Sequence, residues 1–223
     1  MPFPTSYTGW IELLRDWVDV DDLIDAQIET SLSLAQLRLN KECDSQWIES
    51  SAAIPVVTGG LPLYLPTEVP DYDRVRLVVS SGNNLPLTGL SLVEFQKLIA
   101  ASTANGLYTP SGGLPYAFNI EGQNLNVFPA AAAGSTLTLY YYREEPEITS
   151  AASSNVWTDH HPDLLISASV LEISKFIVED ERIPTWENSY QSQLNSANLN
   201  AQQARLGMTP LKRNITMYAG TSN

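Results

Sequence analysis

The sequence predicts an α+β fold: an antiparallel helical bundle made from the N- and C-terminal helices, an inserted small antiparallel β-sandwich or barrel domain, and an extended C-terminal tail. Three observations predict it. Apolar residues recur every three or four positions near both ends of the chain. The middle holds alternating apolar runs punctuated by Pro and Gly. The last stretch, MTPLKRNITMYAGTSN, has no helical period. Helices divided between two chain ends pack together only if the middle leaves and returns at neighbouring points, as an inserted domain does. The expected limits are 1–52 and 157–207 for the helical domain, 53–156 for the insert and 208–223 for the tail.

Each element has its own signal. Trp10, Leu13, Leu14 and Trp17 fall at i, i+3, i+4 and i+7, the stripe of a short amphipathic helix. Asp21 or Asp22 offers a cap and N-terminal negative charge for a second helix. Ile24, Ile28, Leu32, Ala35, Leu39, Cys43 and Trp47 give that helix one long stripe, with no Pro or Gly between Asp21 and Ser50. AIPVVTGGLPLYLP predicts two short strands joined across Gly59-Gly60, with Pro55 and Pro62 suited to edges. Arg74–Val79 is a third strand. Ser91 and Glu94 form a capping box opening a helix over Leu92–Ala101. Strands follow at Tyr116–Ile120, Leu125–Phe128 and Thr136–Tyr142, the first two separated by a turn at Glu121–Asn124.

From Pro162 the pattern is helical again. DLLISASVLEISKFIVED is apolar over most of its circumference, which predicts a buried helix. Pro184 suits the first turn of the next one. There Trp186, Tyr190, Leu194, Ala197, Ala201 and Ala204 form the stripe, and Asn, Gln and Ser fill the opposite face. Gly207 is a natural stop.

Composition narrows the function. The chain has 25 acidic and 12 basic residues, a net charge of −13, and no cluster of Lys and Arg. Phosphate neutralisation needs such a cluster, so a free-standing nucleic-acid binder is disfavoured. No apolar run reaches the roughly 18–20 residues of a membrane span. MPFPTSYTGW lacks the basic-then-apolar pattern of a signal peptide. Cys43 stands alone and reads as a small buried hydrophobe.

The search for chemistry is mostly negative. There is no G-x-S-x-G, P-loop or G-x-G-x-x-G. His160 and His161 are adjacent and point in different directions, so with Asp159 and Asp163 they read as a polar helix start rather than a metal site. Glu144-Glu145 and Glu179-Asp180-Glu181 read as solvated faces, with Arg143 and Arg182 as local partners. Trp47 and Trp186 read as core residues, and Trp157 as a staple into the bundle. Tyr140, Tyr141 and Tyr142 alternate across a strand, as suits one buried on both faces or set against a partner. No catalytic residue, cofactor or metal ligand is expected.

The order of these pieces resembles the head-to-tail adaptor (connector, gateway or tail tubular protein A-like) family of tailed bacteriophages. The resemblance is carried by YTGWIELLRDW, SLAQLRLNKEC, LPLYLPTEVPDYDRVRLV, LTGLSLVEFQKL, YAFNIEGQNLNVFPAAAAGSTLTLYYYREEPEIT and WTDHHPDLLISASVLEISKFIVEDERIPTWENSYQSQL. It implies a structural virion protein, made in the host cytoplasm, that forms a ring of twelve copies beneath the portal. It implies the portal protein and the tail nozzle or tail tube protein as partners, with genomic DNA passing through the lumen. It also implies a portal-gripping arm at Met208, Thr209, Pro210, Leu211, Lys212, Arg213, Asn214, Ile215, Thr216, Met217 and Tyr218, where the alternative is a disordered terminus. The polar face of the last helix is then a ring flank, or simply solvent-exposed. Two other functional classes stay open: a carbohydrate-binding or depolymerising tail protein using the β-insert aromatics, and a monomeric peptide-binding module.

Overall fold

The computed structural model describes residues 3–20, 23–57, 63–65, 75–81, 86–104, 113–177 and 181–206. Helix α1 (Tyr7–Val18) starts where the Ser6 hydroxyl accepts the Gly9 N–H at 3.1 Å. It ends at Asp19, whose left-handed backbone (φ 52°) returns its N–H to Arg15. Its buried stripe is Trp10, Ile11, Leu14 and Val18, not the expected one. The two stripes share Trp10 and Leu14. The core closes on Val18, four residues after Leu14, and this turns Trp17 outward to 56% exposure.

Helix α2 (Asp25–Glu42) buries Ile28, Leu32, Ala35 and Leu39 as expected. The Gln27 side chain accepts the Ile24 N–H at 3.2 Å at its start. Asp21 and Asp22, expected to cap it, lie outside the described residues. The helix is shorter than its stripe suggests, because Cys43 is buried but already extended (φ −98°, ψ 126°). The Asn198 amide decides the end: it accepts the Asp44 N–H at 2.8 Å and donates to the Glu42 carbonyl at 3.2 Å. Those groups are satisfied by a side chain instead of another helical turn. Trp47 consequently lies on a 3-10 turn (Gln46–Ile48), 48% exposed, and is not a core residue.

The middle of the chain forms two open sheets among the described residues. Strands β1 (Glu49–Pro55), β7 (Thr136–Tyr142) and β3 (Val75–Ser80) form one, in that order. Strands β2 (Leu63–Tyr64), β6 (Asn124–Phe128), β5 (Ala117–Glu121) and β4 (Thr88–Gly89) form the other. The expected β1–β2 hairpin does not form. β1 pairs antiparallel with β7 from Glu49↔Tyr142 to Pro55↔Thr136, and β2 pairs with β6. A long ladder with a distant strand wins over a short local one, and Pro55 sits at the end of an edge strand. The sheets are not wholly antiparallel, since β4 runs parallel to β5. The β5–β6 hairpin turns at Gly122, whose φ of +59° suits glycine. Ahead of β5, helix α3 (Leu92–Ala104) carries the expected capping box, with Glu94 accepting the Ser91 N–H at 3.1 Å and Ser91 Oγ accepting the Glu94 N–H at 3.4 Å.

Helices α4 (Val156–His160), α5 (Pro162–Ile173) and α6 (Ile183–Leu206) complete the described residues. α5 is buried nearly all round, packs against α1, α2, α4 and α6, and yields to a 3-10 turn at Ser174. Two hydrophobic cores result. One holds Trp10, Leu14, Ile28, Leu39, Trp157, Leu165 and Tyr190 from the helices. The other holds Ile54, Leu63, Val78, Leu125, Leu137 and Leu139 from both sheets. Fully burying one such aliphatic side chain stabilises by about 1.5–3 kcal/mol. β7 serves both cores: Tyr141 packs in the sheet core and Tyr142 in the helical core.

The segment after β7 is fastened to α2 by a buried polar ladder. Asn40 pairs with the Glu145 backbone and accepts the Trp157 indole N–H at 3.1 Å. Gln36 Oε1 accepts the Ile148 N–H and the Asn155 amide, both at 2.9 Å. Glu145 is therefore not on a solvated face: it is 4% exposed, and its carboxylate accepts from Arg143 at 2.6 Å and from the Val156 N–H at 3.3 Å. These charge-assisted bonds offset its desolvation. Glu144 and Glu181 are exposed as expected, while Glu179 and Asp180 lie outside the described residues.

Candidate functional site

Helix α6 carries the surface of most functional promise, its own polar face. Its inner face is held by Tyr190, Leu194 and Ala201. The Tyr190 hydroxyl donates to Glu42 at 2.7 Å, and the Arg38 guanidinium lies 4.5 Å from the Tyr190 ring centre. Burial, followed by the Glu42 hydrogen bond, pushes the Tyr190 hydroxyl well above its ordinary pKa. Glu172 is buried beneath this contact and is bonded by Arg38 and Lys175. The outer face presents Asn188, Gln191, Asn195, Asn200 and Gln203 to solvent, as the sequence predicts. Arm residues Met208–Tyr218 lie outside the described residues.

The histidine pair is a polar helix start, and each member has a partner. His161 Nε2 lies 2.7 Å from Ser45 Oγ, and the His160 ring stacks on Trp47 with centroids 4.0 Å apart and planes 4° apart. Burial, then the neighbouring His160, lowers the His161 pKa from its ordinary 6.5. Among the described residues no group of three His, Cys, Asp or Glu is placed to hold a metal. Nor is any helix among them long and apolar enough to cross a membrane.

The structure separates the three tyrosines. Tyr141 and Tyr142 are 2% and 6% exposed, and only Tyr140, at 39%, faces solvent. It sits with Glu49, Ser51 and Arg76 around a shallow hollow on the three-stranded sheet, where Arg76 pairs with Glu49 at 2.6 Å. Trp157 is fully buried as a staple, and Trp186 is half-buried beneath the Arg182 guanidinium, 4.9 Å from the ring centre.

Sequence reasoning missed the cleft between Trp47–His160 and α6, because Trp47 fits the α2 stripe until Asn198 ends that helix. It also missed the α2 ladder, although Gln36 and Asn40 gave a signal. They are polar residues beside the buried Leu32, Ala35 and Leu39, and such positions demand buried partners.

No curated protein matches the chain. A family model described as SU10 adaptor protein matches residues 5–214, a span that takes in the helices of both ends, both sheets and most of the expected arm. The chain belongs to the SU10 adaptor protein family, in keeping with a structural role as a phage head-to-tail adaptor.

Proposed function

We propose that this protein is a ring-forming adaptor docked beneath the portal, joining capsid to tail and letting genomic DNA pass. The observation that carries the reading is the family match over 5–214. In this reading residues 1–52 and 157–207 form an antiparallel bundle and 53–156 an inserted β-sandwich. The separate helical and sheet cores support that division. Residues 208–218 reach out as an extended arm that binds the portal protein by adding backbone hydrogen bonds to it. The polar face of α6 is one flank of a closed ring of twelve copies, meeting a different patch on the next subunit. The distal side binds the tail nozzle or tube protein. A net charge of −13 lets DNA slide without sticking, because it offers no clustered cations for the phosphates. The test is co-sedimentation with purified portal. The full chain should travel with portal, and a chain truncated after Gly207 should not.

A second reading, glycan binding at the β-insert, rests on one observation. Tyr140 is exposed beside Glu49, Ser51 and Arg76. A single exposed ring is a small stacking platform, and binding to virion-relevant polysaccharide that disappears in Tyr140→Ala would favour it.

A further inference from the structure

We infer that the cleft between the Trp47–His160 stack and α6 is a docking site for this chain's own segment 208–213. Two adjoining hollows of about 200 Å³ each share His161, Ala197 and Asn200, so they form one groove across α6. Its floor is Ala197 and Ala201, small enough to admit a side chain, and one wall is the stacked Trp47 and His160. That wall is fixed in advance. Ser45 is held by His161 and accepts the Trp47 N–H at 3.3 Å, and Asn198 grips the preceding turn from α6. A site held in its bound shape loses little entropy on binding.

The lining selects the occupant. It contains the exposed Asp163 carboxylate and the exposed Trp47 ring, with no Lys or Arg. One hollow offers the carboxylate and the adjoining one the indole, and each takes a cationic side chain, by ion pairing or by stacking of a guanidinium on the ring. Residues 207–223 contain Lys212 and Arg213 and no acidic residue, in a chain of net charge −13. They are also tethered nearby. Ala201 lies five residues before Leu206, about 7–8 Å along the helix axis. Gly207 permits the chain to reverse, and the six residues 207–212 span up to about 20 Å when extended. A short tether supplies an effective concentration on the order of 1 mM, so even a weak groove is occupied. The inference rests on the arm assignment for one consequence only: portal and cleft then compete for the same segment, and the arm is held back until portal is present.

The test is hydrogen–deuterium exchange of the isolated full-length chain, with no portal, as wild type, Trp47→Ala and Asp163→Lys. Exchange within α2 and α5 reports that each variant is folded. The expected result is that 208–213 exchanges about 10-fold more slowly than free peptide in wild type and at free-peptide rates in both variants. Free-peptide rates in wild type would overturn the inference, as would protection unchanged in both variants. Protection that rises with protein concentration would also overturn it, since a second copy would then be the source. None of these outcomes bears on portal co-sedimentation, so the two readings fail separately.

Discussion

The Asn40 side chain meets the Glu145 backbone as one peptide group meets another: its Nδ2 donates to the carbonyl at 2.9 Å and its Oδ1 accepts the N–H at 3.2 Å. The same Oδ1 accepts the Trp157 indole. One α2 side chain thus fixes both the chain leaving the sheet and the tryptophan opening the C-terminal helices. Asn40→Ala leaves three buried groups without partners, and each such group costs about 1–3 kcal/mol. Chemical denaturation should show a loss of roughly 3 kcal/mol or more. A loss within the ~0.5 kcal/mol typical of surface substitutions would mean that the ladder carries no stability.

The tyrosine run separates by position, not by residue type. Tyr142→Ala removes a ring from the helical core and should cost about 3–5 kcal/mol, as for other large-to-small aromatic changes. Tyr140→Ala should stay within about 0.5 kcal/mol. Equal melting shifts for the two variants would contradict the assignment of Tyr142 to a core.

Gly122 isolates a pure backbone effect. Its φ is +59°, and an added Cβ would meet nothing within 4 Å. Gly122→Val should therefore destabilise by about 1–2 kcal/mol through strain alone. Gly122→Asn should recover much of that loss, since Asn tolerates the left-handed region. If valine were as stable as glycine in thermal melts, the turn would have another conformation.

The lowered pKa of His161 gives stability a pH dependence of fixed sign. An unfolded chain takes up the proton near 6.5, before the folded chain does. The contribution is therefore present above that value and is lost as pH falls through the lower folded value. Most carboxylates titrate below about pH 5, outside the window in which His161 acts. Melting temperature should drop as pH falls below about 6.5, and His161→Gln should flatten that drop. An unchanged slope in the variant would remove His161 as the cause.

The sequence made legible what depends on local pattern. The β7 limits, the Ser91–Glu94 box, the buried α5 and the polar face of α6 all follow from periodicity and capping. What escaped it was set by partners far along the chain. Trp47 leaves the core because Asn198, 151 residues later, ends α2. Glu145 enters the core because Asn40 receives its backbone, 105 residues away. The β1–β2 hairpin loses to a ladder with β7 for the same reason. At the candidate site, the polar α6 face was legible, and the cleft beside it was not.

The central claim is that this chain adds a ring to portal through the segment beyond Gly207. The direct measurement is electron microscopy of purified portal mixed with the full chain and with the chain truncated after Gly207. The account predicts an added ring of twelve subunits on one end of portal with the full chain, and bare portal with the truncated chain even though its helices remain folded by circular dichroism. Bare portal with the full chain, or an equal ring with both, would contradict it.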